Sequence, residues 1–116
     1  MAKNKRKFKP KNEFRFNRKT NHNTYIFGDD GKNYKALGIT HKDKTFGKNN
    51  MPLANNPQKG KSEKAYIRNG IISDTYSHFD KPKKNFGFSN EDFSNVKSKI
   101  RNYKNRQKKR NKKTSG

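Results

Sequence analysis

The chain has no cysteine in its 116 residues. That excludes a disulfide framework and a thiolate zinc site. It also fits a reducing compartment, so a cytoplasmic location is expected. No apolar run approaches the roughly 18 residues of a membrane span, and no membrane partner is expected. The basic N-terminus lacks the apolar stretch of a signal peptide. Phosphate-cradling and nucleophile motifs are missing as well. Gly47-Lys48 lacks the preceding glycine of a Walker loop, and neither G-x-G-x-x-G nor G-x-S-x-G occurs. The three histidines stand 19 and 37 residues apart, without H-x-x-x-H spacing, so neither a metal nor another cofactor is expected. Acids are scarce: nine, against 31 lysines and arginines, for a net charge of +22.

The scarcity is uneven. Residues 1–19 hold nine Lys/Arg and one acid, Glu13, and residues 97–116 hold ten Lys/Arg and no acid. The stretch between them holds twelve basic and eight acidic residues. An AT-rich coding sequence raises Lys and Asn together but leaves the absence of acids from the ends unexplained. The pattern predicts a basic N-terminal arm over 1–19, a small domain over 20–105 and a basic C-terminal tail over 106–116. Arms of this kind bind polyanions, because each cation near a phosphate releases condensed counterions. Lys5, Arg6, Lys7, Lys9, Lys11, Arg15, Arg18 and Lys19 are the candidate contacts at one end. Arg101, Lys104, Arg106, Lys108, Lys109 and Arg110 are those at the other, and Lys32 and Lys35 lie between. Phe8, Phe14 and Phe16 interleave with the first charge run and offer rings for base stacking.

Hydrophobic residues make up 25% of the chain, enough for one small core. Thr24 to Phe27 and Tyr34 to Thr40 read as strands joined at Asp30-Gly31, a favoured hairpin pair. A two-residue loop there pairs Phe27 with Tyr34 and Tyr25 with Ala36. It sets Ile26, Leu37 and Ile39 on one face and Tyr25, Phe27, Tyr34 and Ala36 on the other. The aromatic face suits either base stacking or packing under a helix, the core role being favoured. Residues 41–64, rich in Asn, Pro and Gly, predict a long loop folded back over the sheet. Ala65 to Arg68 predicts a strand, continued through Asn69-Gly70 as a hairpin or one bent strand. Ser89-x-x-Asp92 is a capping box, with Phe88 and Phe93 as its staple. Phe93, Val96, Ile100 and Tyr103 then recur at helical spacing. The fold class expected is α+β: a short antiparallel sheet with a C-terminal amphipathic helix, flanked by disordered basic arms.

Among candidate chemical groups, His41 is the best placed, just after the second hairpin strand, where catalytic groups commonly project. Cleaving a ribonucleotide needs a base for the 2′-OH, an acid for the leaving oxygen and cations on the phosphate. His41, Lys44, Tyr66 and Arg68 supply those roles if they converge. His22 reads as a solvated polar residue, and His78 has no partner nearby in sequence.

Leu37-Gly-Ile-Thr-His41, Asn55-Asn56-Pro57 and Ala65-Tyr66-Ile67-Arg68 together resemble a set of uncharacterised short basic proteins of low-GC Gram-positive bacteria and their mobile elements. The likeness spans about a third of the chain and implies no activity. More distantly, the chain resembles small barnase-, colicin- and RelE-like ribonucleases, which place cationic and aromatic side chains on a small sheet. Their helices precede the sheet, whereas here the helix follows. Three functions are therefore expected in order: nucleic-acid binding with RNA preferred over DNA, a metal-independent endoribonuclease, and a ribosome- or nucleoprotein-associated structural protein.

Overall fold

A computed structural model describes residues 13–115, with side chains described as far as Lys108. The chain forms β1 (Glu13–Asn17), β2 (His22–Asp29), β3 (Asn33–Thr40), β4 (Lys44–Thr45), β5 (Lys48–Asn49), β6 (Met51–Pro52) and β7 (Tyr66–Thr75). A 3-10 turn (Tyr76–His78) and the helix α1 (Asn90–Ser115) follow. The class is the expected α+β, an antiparallel sheet followed by a C-terminal helix. The main sheet runs β1-β2-β3-β7-β6, and β4 pairs separately with β5. After the 3-10 turn the chain doubles back along the outer edge of β1. Arg18 N donates to His78 O at 2.8 Å, Asp80 N to Phe16 O at 2.9 Å and Lys83 N to Phe14 O at 2.7 Å. This covers an edge that would otherwise present unpaired backbone groups.

The hairpin of β2 and β3 forms where expected, but with a different register. Asp29 pairs with Tyr34, Tyr25 with Leu37 and Thr24 with Gly38, and the ladder slips between Ile26 and Gly28. The turn is Gly31-Lys32, with Gly31 at φ 94, and Asp30 Oδ1 accepts from the Lys32 and Asn33 N–H groups. A one-residue change exchanges the faces of a strand, and the bulge at Phe27 restores the apolar pattern beyond it. Tyr25, Phe27 and Leu37 therefore share the face under α1. Ile26, Ala36 and Phe79 form a second cluster, against which Tyr34 and Ile72 pack.

β7 is one continuous strand of ten residues. Its register jumps between Leu37↔Ile71 and Ile39↔Ile67, so Asn69-Gly70 is absorbed as a bulge opposite Gly38. Residues 41–64 do fold back, and they add β6 to the sheet through Met51↔Ile67 and Pro52↔Tyr66. Leu53 then enters the core, 1% exposed.

Ser89 caps α1. Its Oγ accepts from Asp92 N at 3.2 Å. The Asp92 carboxylate does not complete the box; it accepts from Ala54 N at 2.7 Å and Asn55 N at 3.0 Å and ties the long loop to the helix. Phe88 and Phe93 both lie against Tyr25, with ring centroids at 5.1 and 6.4 Å. Val96 and Ile100 are buried, and Tyr103 meets Phe27 edge-on at 5.9 Å. Apolar contact ends at Tyr103, as the stripe implies. The backbone, however, stays helical to Ser115, through the range read as a disordered tail. Nothing between Tyr103 and Ser115 breaks a helix, since Pro and Gly are absent and Lys, Arg and Gln are good helix formers.

Ile100→Ala is expected to destabilise the protein by about 2–5 kcal/mol, because it leaves a cavity in the helix–sheet contact. Lys108→Ala, on the exposed continuation of α1, is expected to fall within about 0.5 kcal/mol. Urea unfolding of both variants checks this; equal losses would contradict a packed stripe ending at Tyr103.

Candidate functional site

The candidate basic contacts divide into three groups. Lys5, Arg6, Lys7, Lys9 and Lys11 lie outside the described residues, as do the side chains of Lys109 and Arg110. A second group is engaged within the sheet. Arg15 Nε pairs with Glu13 at 2.5 Å, and its guanidinium stands over Tyr34 at 5.1 Å. Arg18 pairs with Asp80 and donates to the Ser77 carbonyl. Lys35 donates to Ser73 Oγ at 3.1 Å and lies 3.8 Å from Asp30. These side chains hold the fold and are less available to a ligand than their charge implied. The third group is open: Lys19, Lys32, Arg101, Arg106 and Lys108 are exposed, and Lys104 is half-buried.

The open group concentrates on α1. One side of the helix forms a cleft of about 510 Å³ with Met51 and Pro52, lined by Asn95, Ser98, Lys99, Asn102 and Arg106. Burial, and then the Arg106 charge, lower the pKa of Lys99 below its ordinary 10.5. Burial, and then Lys108, do the same to Lys104. Ion pairs among the described residues include Arg15–Glu13, Arg18–Asp80, Lys35–Asp30 and His78–Asp74. None of them involves Lys97, Lys99, Arg101 or Arg106. Lys99 and Arg106 repel each other on the cleft side of α1, Lys104 and Lys108 do so on the other side of the stripe, and a bound anion would relieve either repulsion.

His41 lines a second cleft, of about 340 Å³, at the end of the sheet where β1, β2 and β3 meet. Phe16, Asn21, His22, Asn23, Ile39, Thr40 and Lys42 complete it. His41 Nδ1 lies 3.1 Å from the Lys64 carbonyl oxygen. A carbonyl only accepts, so Nδ1 carries the proton and Nε2 keeps the lone pair when the ring is neutral. His22 is held below its ordinary 6.5, first by burial, then by Arg68 and Lys42, against the raising effect of a hydrogen bond to the Ile39 backbone. Asn23 Oδ1 is buried without a hydrogen-bond donor, so this wall of the cleft has an unmet acceptor.

Of the predicted set, His41 is therefore brought together with His22 and Lys42. Arg68 acts on His22 electrostatically, and its stem crosses the face of Gly38, where an added Cβ would come within 2.9 Å of Arg68 Cδ. Tyr66 stands opposite Thr40 in the β3–β7 ladder, under the Lys64 ammonium at 5.8 Å. Lys44 projects from β4 and does not line the cleft. His22 was missed because it falls in a polar run. Extending the β2–β3 ladder two steps beyond Thr24↔Gly38 places it opposite Thr40, so correct register was the signal that could have found it.

His78 does have a partner, four residues back. Its Nδ1 donates to Asp74 Oδ1 at 2.8 Å, and Asn17 Nδ2 donates to Asp74 Oδ2 at 3.0 Å. Burial would raise the Asp74 carboxyl, but Asn17, His78 and the Thr75 N–H overcome it and hold it below 3.8. The cluster ties β1 to the end of β7.

Comparison of the chain with protein-family models, curated proteins and solved structures finds no match. Function is therefore argued from these surfaces alone.

A depressed histidine favours the fold where it stays neutral. The contribution of His22 is complete above the unfolded value of 6.5 and is lost as pH falls through the lower folded value. His22→Gln is expected to flatten the change in thermal midpoint between about pH 7 and pH 5. Melts of both proteins across that range check it; identical slopes would contradict the depressed value.

Proposed function

We propose that the protein binds nucleic acid, RNA in preference to DNA, through α1 and the basic ends of the chain. The observation that carries this is the like-charge repulsion along α1, on both sides of its docked stripe. From Phe93 onward the chain contains ten Lys/Arg and no acid, on a helix whose docked stripe fixes which side stays open. Phosphates would replace like-charge repulsion with attraction and release counterions. Asn95, Ser98 and Asn102 add neutral donors and acceptors in the adjoining cleft, suited to sugar hydroxyls and base edges. Two points support RNA. Among the described residues α1 is the single α-helix, so no helix-turn-helix sets it in a DNA major groove. Unpaired bases, which RNA offers in its loops, are the natural partners of aromatic and cationic side chains together.

Endoribonuclease activity is the alternative, and the shared cleft of His22 and His41 favours it. In that chemistry His22, held neutral, takes the 2′-OH proton, and the 2′ oxygen attacks phosphorus. The 5′ oxygen leaves with the Nε2 proton of His41 in its imidazolium form, giving a 2′,3′-cyclic phosphate and a free 5′-OH. Lys42 would hold the phosphate.

Fluorescence anisotropy with labelled single-stranded RNA tests the binding. If on the order of 6–10 phosphates are neutralised, affinity is expected to fall by roughly 2.5 to 4 decades between 50 and 200 mM salt. A flat response contradicts the proposal. The same RNA, run on a gel after incubation in EDTA, tests the alternative. Cleavage is expected to drop by roughly 10²–10⁴-fold in either His22→Ala or His41→Ala, with affinity kept. Intact RNA across pH 5–9 eliminates catalysis and leaves binding.

A further inference from the structure

The β4–β5 hairpin carries a side chain that neither the core nor the proposed interface uses. Phe46 is 91% exposed, the only phenylalanine so exposed among the described residues. It occupies the first central position of a two-residue turn, at φ 53, with Gly47 following at φ 77. Two left-handed residues define a type I′ turn, for which Asn-Gly is the favoured pair. A bulky residue at positive φ is an outlier, so the local backbone disfavours the ring and no packing repays it.

The turn is nevertheless held firmly. Asn50, 4% exposed, donates from Nδ2 to Lys42 O at 3.0 Å and Thr45 Oγ1 at 2.8 Å. Asn69 Nδ2 reaches both strands of the hairpin, at Thr45 O and Lys48 O, each 3.0 Å away. Asn69 N donates to Asn50 Oδ1 at 2.9 Å, which links the two clamps. The hairpin base is thus fixed to β7, and Phe46 is presented on a rigid support. Lys44 and Lys48 flank it in the ladder, where Lys44 faces Asn49 and Thr45 faces Lys48. Lys42 precedes them, with Asp43 the one acid of the segment.

We propose that Phe46 is a stacking finger for one unpaired nucleobase of a single strand, with Lys44 and Lys48 on the phosphates to either side. This rests on the nucleic-acid reading and deepens it. The chemistry favours a base over other occupants. A single ring with polar and cationic neighbours offers too little apolar area to anchor in a protein pocket or a lipid surface. One base, by contrast, needs only one ring face, and its backbone brings the anions that the lysines match.

The chain contains no tryptophan, so Phe46→Trp places a unique fluorophore at the tip. It is titrated with an oligoadenylate of about 12 nucleotides, with inorganic polyphosphate, and with vesicles of phosphatidylglycerol and phosphatidylcholine. Quenching by oligoadenylate and none by polyphosphate is expected. Phe46→Asn restores the favoured turn pair. It is expected to raise the thermal midpoint while weakening oligoadenylate binding on the order of 5- to 100-fold, with polyphosphate affinity unchanged. A merely structural role would move stability and binding together. Full oligoadenylate affinity in Phe46→Asn overturns the finger and leaves the electrostatic interface standing. Failure of the wild type to bind oligoadenylate and polyphosphate alike overturns both. A blue shift on vesicles, without quenching by oligoadenylate, assigns the tip to a lipid surface and overturns the proposal.

Discussion

Four side chains on one face of α1 carry the contact on which the remainder depends. Phe93, Val96, Ile100 and Tyr103 lie on Tyr25, Phe27, Leu37 and Ile67, and this is the larger of the two apolar clusters. A second, smaller cluster around Ile26, Ala36 and Phe79 buries the other face of the sheet. Helix docking decides several things at once. It buries Tyr25, Phe27 and Leu37, it sets the rotation of α1, and it directs the helix's cations outward. The same contact ends at Tyr103, and from Lys104 to Lys108 α1 presents charge. The proposed function and the fold are coupled through this geometry, since a helix turned by one residue would carry lysines into the core.

Polar side chains supply much of what a larger core would provide elsewhere. Asn17, Asn50, Asp74 and Asp92 are buried, and each is hydrogen-bonded across the fold. Asn17 and Asp74 join β1 to β7, Asn50 and Asn69 pin the small hairpin, and Asp92 holds residues 54–55 against the helix start. A buried polar group with its partners in place specifies one arrangement, and removing a partner leaves an unmet group that is costly. The asparagines of the long excursion are thus fasteners as well as turn formers.

How legible this was in the sequence depended on the kind of signal. The Ser89 cap and the Phe93-to-Tyr103 stripe are local, so the helix and its buried face could be read directly. The strands flanking Asp30-Gly31 were equally plain. Their register was not, because the bulge at Phe27 and the shift of the turn to Gly31-Lys32 reflect packing under α1. The error propagated: with the wrong register Tyr25 and Leu37 fell on opposite faces, and His22 had no neighbour. The β6 pairing, the edge cover from residues 78–83 and the Asp92 bonds to residues 54–55 are long-range contacts that no local pattern announces. For the site, charge asymmetry was visible from the start. That Arg15 and Arg18 are committed to internal partners, while Lys99 and Arg106 border an open cleft, emerges only in three dimensions.

The central claim is that the open face of α1 meets a polyanionic strand while the opposite face stays docked. Amide and methyl chemical-shift mapping during titration with a short single-stranded RNA tests it most directly. The account predicts shifts concentrated at residues 95–108 and 44–48, with Val96 and Ile67 side-chain methyls unmoved. Shifts centred on the sheet core, or none at saturating RNA, would contradict it.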